Sequence, residues 1–127
     1  MASRVLDSSA ILAVIFDEPG SDDVVPLLQG ALLSAVNLTE VYTQLLLRGV
    51  PANLAWSRIL QMGFEVCPYQ EHQARIAAEM IAQTRPLGLS LGGRACLALA
   101  IERKATVYTA DRRWKRLALS VTVEVIR

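Results

Sequence analysis

Few residues in this sequence of 127 are available for a zinc site or a disulfide framework, because it contains two cysteines and one histidine. Cys67 and Cys96 lack the Cys-x-x-Cys spacing of zinc and redox motifs. Cys96 stands in an apolar helical segment, which is typical of a reduced core thiol. The lone His72 stands at the polar start of a predicted helix, which is typical of a surface position. We assign no chemistry to these three residues.

Long hydrophobic runs are also absent, although 53% of the residues are hydrophobic. The longest early apolar run, residues 10–16, follows Asp7 and precedes two further acids. It is too short and too closely flanked by charge for a membrane span or a secretory signal. The composition suits one compact domain over residues 1–127 with a core of its own. We expect a soluble, cytoplasmic protein with no membrane partner.

Net charge gives little guidance, because it is only +1, but the charges are unevenly spread. Between residues 94 and 116 the basic side chains far outnumber the acidic ones, which are Glu102 and Asp111. The basic residues are Arg94, Arg103, Lys104, Arg112, Arg113, Lys115 and Arg116. Such an excess suits contact with the phosphates of a nucleic acid, and it equally suits a solvated surface with salt bridges.

Short apolar segments alternate with helical patterns along the chain, which predicts an α/β fold with a mainly parallel sheet. The predicted strands cover residues 3–6, 31–36, 64–67, 106–108 and 121–125. The predicted helices cover residues 8–17 and 21–29, a helical hairpin that turns at residues 49–51, residues 70–84, the segment after Ser90, and residues 112–117.

Three acidic residues stand where predicted strands pass into helices. Asp7 follows the first strand, Glu40 lies in the first turn after the second, and Asp111 follows the fourth. The carboxyl ends of parallel strands share one edge of a sheet, where open α/β sheets bind ligands, so these acids are expected to converge. Carboxylates without histidine or cysteine suit Mg²⁺ or Mn²⁺. The alternative is that the acids only cap helices, with Glu40 reaching back to Asn37 in a capping box.

A divalent ion bound by carboxylates is suited to the hydrolysis of phosphodiesters. It lowers the pKa of a bound water and neutralises charge on a leaving oxygen, which is how metal sites hydrolyse phosphodiesters. Arg94, Arg112 and Arg113 flank the same predicted edge, where they are candidates for contacts with an RNA backbone.

The helix after Ser90 begins with an unusual residue. Ser90 is placed to cap this helix, but Gly93 stands where a capping box has an acid. Glycine offers no side-chain acceptor and costs about 1 kcal/mol relative to alanine inside a helix. The corresponding segment at residues 37–40 does carry its acid, so Gly93 interrupts a pattern of acids at strand-to-helix junctions.

Four segments together resemble the PIN domains of VapC type, the ribonuclease half of bacterial and archaeal toxin–antitoxin pairs. They are residues 5–10, 34–40, 89–100 and 107–114, and the resemblance covers essentially the whole chain. It implies a three-layer fold with a five-stranded sheet in the order 3-2-1-4-5. It also implies an endoribonuclease that uses Mg²⁺ or Mn²⁺, forms a homodimer, and is neutralised by a cognate antitoxin that fills the active-site groove.

The resemblance assigns roles to individual residues. It makes catalytic metal ligands of Asp7, Glu40 and Asp111, with Ser9 and Thr109 as supporting polar groups. The family has Asp at the position of Gly93, so one principal metal ligand is missing. We hypothesise that this chain is an inactive or weakened nuclease, through natural divergence or an introduced substitution. The alternative is a non-catalytic PIN-fold module that binds RNA or an antitoxin.

Two other classes fail at the residues that define them. Residues 88–95 have the two-glycine spacing of a P-loop, but Arg94 replaces its lysine and Ala95 its hydroxyl residue. A receiver-like signalling domain needs paired acids after the first strand and an acceptor aspartate after the third. Here Ser8 follows Asp7, and Pro68 follows the third strand.

Overall fold

A five-stranded parallel sheet forms the centre of the computed structural model, which describes residues 3–127. Its strands are β1 (Arg4–Leu6), β2 (Leu32–Ser34), β3 (Glu65–Cys67), β4 (Thr106–Thr109) and β5 (Val123–Val125). Their order is β3-β2-β1-β4-β5, and each neighbouring pair is parallel. The central strand β1 pairs on both sides, with Val5 opposite Leu32 and Val107. The predicted α/β fold and strand order are confirmed.

Helices connect the strands. They are α1 (Ser8–Ile15), α2 (Ser21–Val24), α3 (Ala35–Leu47), α4 (Ala52–Leu60), α5 (Glu71–Glu79), α6 (Ile81–Thr84) and α7 (Leu91–Arg103). Short 3₁₀ turns cover Val25–Leu27, Arg85–Leu87 and Arg112–Arg116. The prediction of one helix over residues 70–84 is wrong, because the backbone leaves helical geometry at Met80. The basic helix predicted near residues 112–117 is a 3₁₀ turn.

Helices cover both faces of the sheet. Successive residues of a strand point to opposite faces, so each face presents apolar side chains that the helices bury. Val5, Leu32 and Val107 belong to the cluster that includes buried residues of α5 and α7. Leu6 and Leu33 belong to the cluster on the other face, with α1, α3 and α4. The apolar character of α7 on nearly all sides is explained by its burial along most of its length. No helix within residues 3–127 is long and apolar enough to cross a membrane.

The junction between β2 and α3 differs from the prediction. The strand ends at Ser34, whose hydroxyl accepts a hydrogen bond from the amide of Val36 at 3.2 Å, so Ser34 caps the helix. The predicted capping box of Asn37 and Glu40 is therefore wrong. Asn37 lies in the first turn of α3, and Glu40 lies in the second turn instead of the first. Serine and asparagine are both good capping residues, and composition alone does not choose between them.

The core is expected to depend on Leu33, which is fully buried on β2. Leu33→Ala should lower the free energy of unfolding by about 2–5 kcal/mol, because it leaves a cavity between the sheet and its helices. Urea denaturation followed by circular dichroism measures the loss. Leu47→Ala is the control, since Leu47 is 73% exposed and its replacement should change stability by less than about 0.5 kcal/mol. Equal losses in the two variants would contradict this placement of the core.

Candidate active site

The carboxyl edge of the sheet opens into a pocket of about 200 Å³. Asp7, Glu40 and Asp111 all line it, as do Ser9 and Gly93. The other lining residues are Ser8, Gly88, Leu89, Ser90, Arg113 and Trp114. Residues from both ends of the chain thus meet where parallel strands end. Within residues 3–127, no three acidic, histidine or cysteine side chains lie close enough to share a metal ion in this conformation.

Asp7 is held by two hydroxyl groups. Its Oδ2 accepts hydrogen bonds from Ser9 Oγ at 2.6 Å and from Thr109 Oγ1 at 2.9 Å. The same hydroxyls accept hydrogen bonds from the backbone, Ser9 from the amide of Ala110 at 2.9 Å and Thr109 from the amide of Asp111 at 3.1 Å. This network ties the start of α1 to the chain that leaves β4. The supporting role of Ser9 and Thr109 at a metal site stays a prediction.

The charges of Asp7 and Glu40 influence the pKa values of groups around the pocket. Burial is the main cause that raises the pKa of Asp7; the hydrogen bonds from Ser9 and Thr109 oppose it, and the charge of Glu40 raises it further. On α7, burial and then the charges of Asp7 and Glu40 raise the pKa of the Cys96 thiol well above its usual value. A cation between Asp7 and Glu40 would relieve this repulsion.

Glu40 extends from α3 to the first turns of two other helices. Its Oε1 accepts hydrogen bonds from Ser8 Oγ at 2.9 Å and from Asn37 Nδ2 at 3.0 Å. Its carboxylate lies against the backbone of Gly92, where a methyl group would collide with it. Gly92 therefore makes room for Glu40. Gly92 and Asn37 are not among the predicted site residues, because only the packing of α3 against α7 shows their contacts.

Gly93 stands in the first turn of α7, as predicted. Ser90 caps this helix, and its Oγ accepts a hydrogen bond from the amide of Gly93 at 3.4 Å. A Cβ at Gly93 would lie 3.2 Å from Trp114 Cζ2 and 3.4 Å from the side chain of Leu89. A side chain here requires the Trp114 ring to shift by a few tenths of an ångström. Neither a left-handed backbone nor a severe collision requires glycine here, in contrast with Gly92.

Arg113 is paired with Asp111 at the pocket. Arg113 Nη2 donates to Asp111 Oδ2 at 2.6 Å, and Arg113 Nε donates to Oδ1 at 2.9 Å. The amide of Arg113 also donates to Oδ1 at 3.0 Å, so Asp111 caps the 3₁₀ turn. The hydrogen bonds from the Arg113 side chain are the main cause that lowers the pKa of Asp111. The charge of Asp111 is thus already balanced by a cation of the same chain.

Arg94 and Arg112 do not line the pocket. Arg94 Nη1 donates to the carbonyl of Ala77 at 3.2 Å and so joins α7 to α5. The buried Arg94 Nε has no hydrogen-bond partner among the residues described. Arg112 is exposed, and its Nε donates to the carbonyl of Arg127 at 3.0 Å. Contact of these arginines with RNA stays a prediction.

A three-layer α/β fold with carboxylates gathered at the carboxyl edge of a parallel sheet defines the class of protein. The family model of the PIN domain matches residues 4–119. This chain therefore belongs to the PIN domain family. No curated protein sequence matches it.

Solved structures of toxin–antitoxin proteins have the same fold. DNA-bound VapBC from Salmonella typhimurium gives a TM-score of 0.75 at 19% identity and covers 100% of both chains. VapBC2 from Rickettsia felis, bound to a promoter DNA fragment, gives 0.73 at 17% identity over 95% of this chain and 96% of the other. VapC20 from Mycobacterium tuberculosis, a sarcin-ricin loop cleaving toxin, gives 0.71 at 17% identity over 89% and 93%.

The two neighbouring glycines of α7 provide a matched test of the site geometry. Gly92→Ala must push the Glu40 carboxylate away from Ser8 and Asn37, whereas Gly93→Ala needs only a small shift of Trp114. Both variants gain similar helix propensity. We expect Gly92→Ala to be about 1–2 kcal/mol less stable than Gly93→Ala, because it loses hydrogen bonds to a charged group. Urea denaturation compares them, and equal stabilities would argue against Glu40 lying on α7.

The Asp111–Arg113 ion pair predicts a pH effect. Arg113→Ala should raise the pKa of Asp111, measured by ¹³C NMR of labelled carboxyl groups in EDTA, because it removes the hydrogen bonds that lower this pKa. Arg112→Ala is the control, since the Arg112 side chain bonds the Arg127 carbonyl instead. An unchanged Asp111 pKa in Arg113→Ala would refute the pairing.

The free energy of unfolding should also depend on the ionisation of Asp111. The folded-state pKa of Asp111 lies below its unfolded value, so the pair stabilises the fold above the unfolded pKa. This contribution is lost as the pH falls through the folded-state pKa. Arg113→Ala should therefore be less stable than the parent protein near neutral pH, and the difference should shrink in acid.

Proposed function

We propose that this chain is a PIN-domain ribonuclease toxin of VapC type, whose metal site is incomplete at Gly93 and whose cleavage of RNA is weak or lost. The observation that carries the proposal is the convergence of Asp7, Glu40 and Asp111 on one pocket in a member of the PIN domain family. The toxin VapC20, which shares the fold, is described as cleaving the sarcin-ricin loop, and this supports RNA as the substrate class.

The residues of the pocket suit a hard divalent cation. Carboxylate oxygens are the ligands that Mg²⁺ and Mn²⁺ prefer. Asp7 and Glu40 would hold the cation, and their mutual repulsion favours it. Asp111 would join them once Arg113 releases its carboxylate. When bound, the cation supplies an activated water and neutralises charge on the leaving oxygen.

The chain's own polar groups prepare this site. Ser9 and Thr109 hold one oxygen of Asp7 in a fixed direction. Gly93 contributes no ligand, although it lines the pocket at the place where the family has Asp. Because a hard cation is held more weakly by fewer anionic oxygens, we expect the three remaining acids to retain a reduced affinity.

The other parts of the proposal rest on the family resemblance. They are an RNA backbone contacted by Arg94, Arg112 and Arg113, a cognate antitoxin, a homodimer, a cytoplasmic location, and a single domain over residues 1–127. Solved structures with this fold include toxin–antitoxin complexes, which supports an antitoxin as partner.

A non-catalytic PIN module that binds RNA or an antitoxin is the second candidate function. The Asp111–Arg113 pair favours it, because it neutralises one of the acids without any metal. Titration with Mn²⁺ separates the two candidates. A weakened nuclease should gain thermal stability as Mn²⁺ is added, and a pure binding module should not.

The decisive substitution is Gly93→Asp, which restores the missing acid in the pocket. RNA cleavage in Mg²⁺ or Mn²⁺ should rise by orders of magnitude and should disappear in EDTA. Gly93→Asn is the matched control, since it has the same shape without the charge and should remain near the parent level. Equal rates of RNA cleavage by the parent chain and the Gly93→Asp variant would contradict the proposal.

A further inference from the structure

One fully buried polar side chain, Asn37, stands beside the candidate site without a role in the function proposed so far. It lies in the first turn of α3, and it faces the first turn of α7. Asn37 Nδ2 donates to Glu40 Oε1 at 3.0 Å and to the carbonyl of Gly92 at 3.0 Å. We infer that Asn37 is a positioning residue that fixes the carboxylate of Glu40 for metal binding, an inference that rests on the proposed function.

The orientation of the Asn37 amide follows from its neighbours. A carboxylate oxygen and a backbone carbonyl are both acceptors, so only the NH₂ group can face them. The flipped amide would place its oxygen against two other oxygens. The two contacts therefore hold Asn37 in one orientation and tie Glu40 to the backbone of α7.

The oxygen of the same amide explains why asparagine, and not an apolar residue, is significant at this position. Asn37 Oδ1 is buried and has no hydrogen-bond partner among the described residues. A buried acceptor without a donor destabilises the fold, and an apolar residue of similar size would avoid that cost. Stability alone therefore does not explain asparagine at this position, whereas a need to hold Glu40 does.

The contacts around Glu40 show how its carboxylate is oriented. Ser8 and Asn37 both donate to Oε1, and Gly92 leaves space for the carboxylate on its other side. Within residues 3–127, Glu40 Oε2 accepts no hydrogen bond, so all the donors that orient this carboxylate act on Oε1. Groups that orient a metal ligand in this way reduce the number of conformations that the ligand must give up when the metal binds.

The test is a double-mutant cycle on the full chain, with Mn²⁺ affinity measured by calorimetry and stability by urea denaturation. Asn37→Leu keeps the approximate volume and removes the amide. We expect it to weaken Mn²⁺ binding about 10–100-fold in a variant that still unfolds cooperatively in urea. In the Glu40→Gln background the same change should have no further effect, because Asn37 acts through Glu40. Thr39→Ala, on the exposed side of α3, is the control and should leave the affinity unchanged.

The outcomes of this cycle separate the positioning role of Asn37 from the metal site itself. Unchanged Mn²⁺ affinity in Asn37→Leu, when Glu40→Gln does lower it, overturns the inference and leaves the proposed function intact. A full additional loss in the Glu40→Gln background also overturns it. Absence of Mn²⁺ binding in both the parent chain and Gly93→Asp overturns the metal site and the positioning role together. If Asn37→Leu does not fold, Asn37→Ala is measured in the same cycle.

Discussion

The hydrogen bonds that Ser9 and Thr109 donate to one oxygen of Asp7 are the interaction on which the carboxyl edge depends. A buried carboxylate is costly unless donors surround it. The two hydroxyls reduce that cost, and they also bind the amides of Ala110 and Asp111. The position of Asp111 is therefore set by the same groups that orient Asp7, and the site is one connected structure.

The charges around the pocket are partly balanced within the chain itself. Burial is the main cause that raises the pKa of Asp7, and repulsion by the charge of Glu40 raises it further. Gly93 contributes no charge, and Arg113 neutralises Asp111 from within the chain. A divalent cation that uses Asp111 must therefore displace a guanidinium. Under the proposed function, the absence of an acid at position 93 and the pairing of Asp111 with Arg113 would both weaken metal binding.

Local sequence patterns predicted most of the elements and the meeting of the acids, because hydrophobic periodicity and strand-to-helix junctions are properties of neighbouring residues. The order of the strands came from the family resemblance. The capping box of Asn37 and Glu40 does not form, because β2 ends at Ser34 and Ser34 caps α3; the end of β2 is decided by its pairing with other strands. Contacts between helices far apart in sequence were beyond local patterns, and they include Asn37 with Gly92 and the space that Gly92 leaves for Glu40.

The adjacent glycines of α7 have different surroundings, and the difference bears on the proposed metal site. Gly92 is required by the carboxylate that lies against it, so α7 still has the form that receives Glu40. At Gly93 a Cβ would meet only a tight contact with the Trp114 ring, and the helix keeps the Ser90 cap. The Ser90 cap and the space for Glu40 are thus both present at the start of α7. Under the proposed function, one acidic side chain at position 93 would complete a metal site that is otherwise in place.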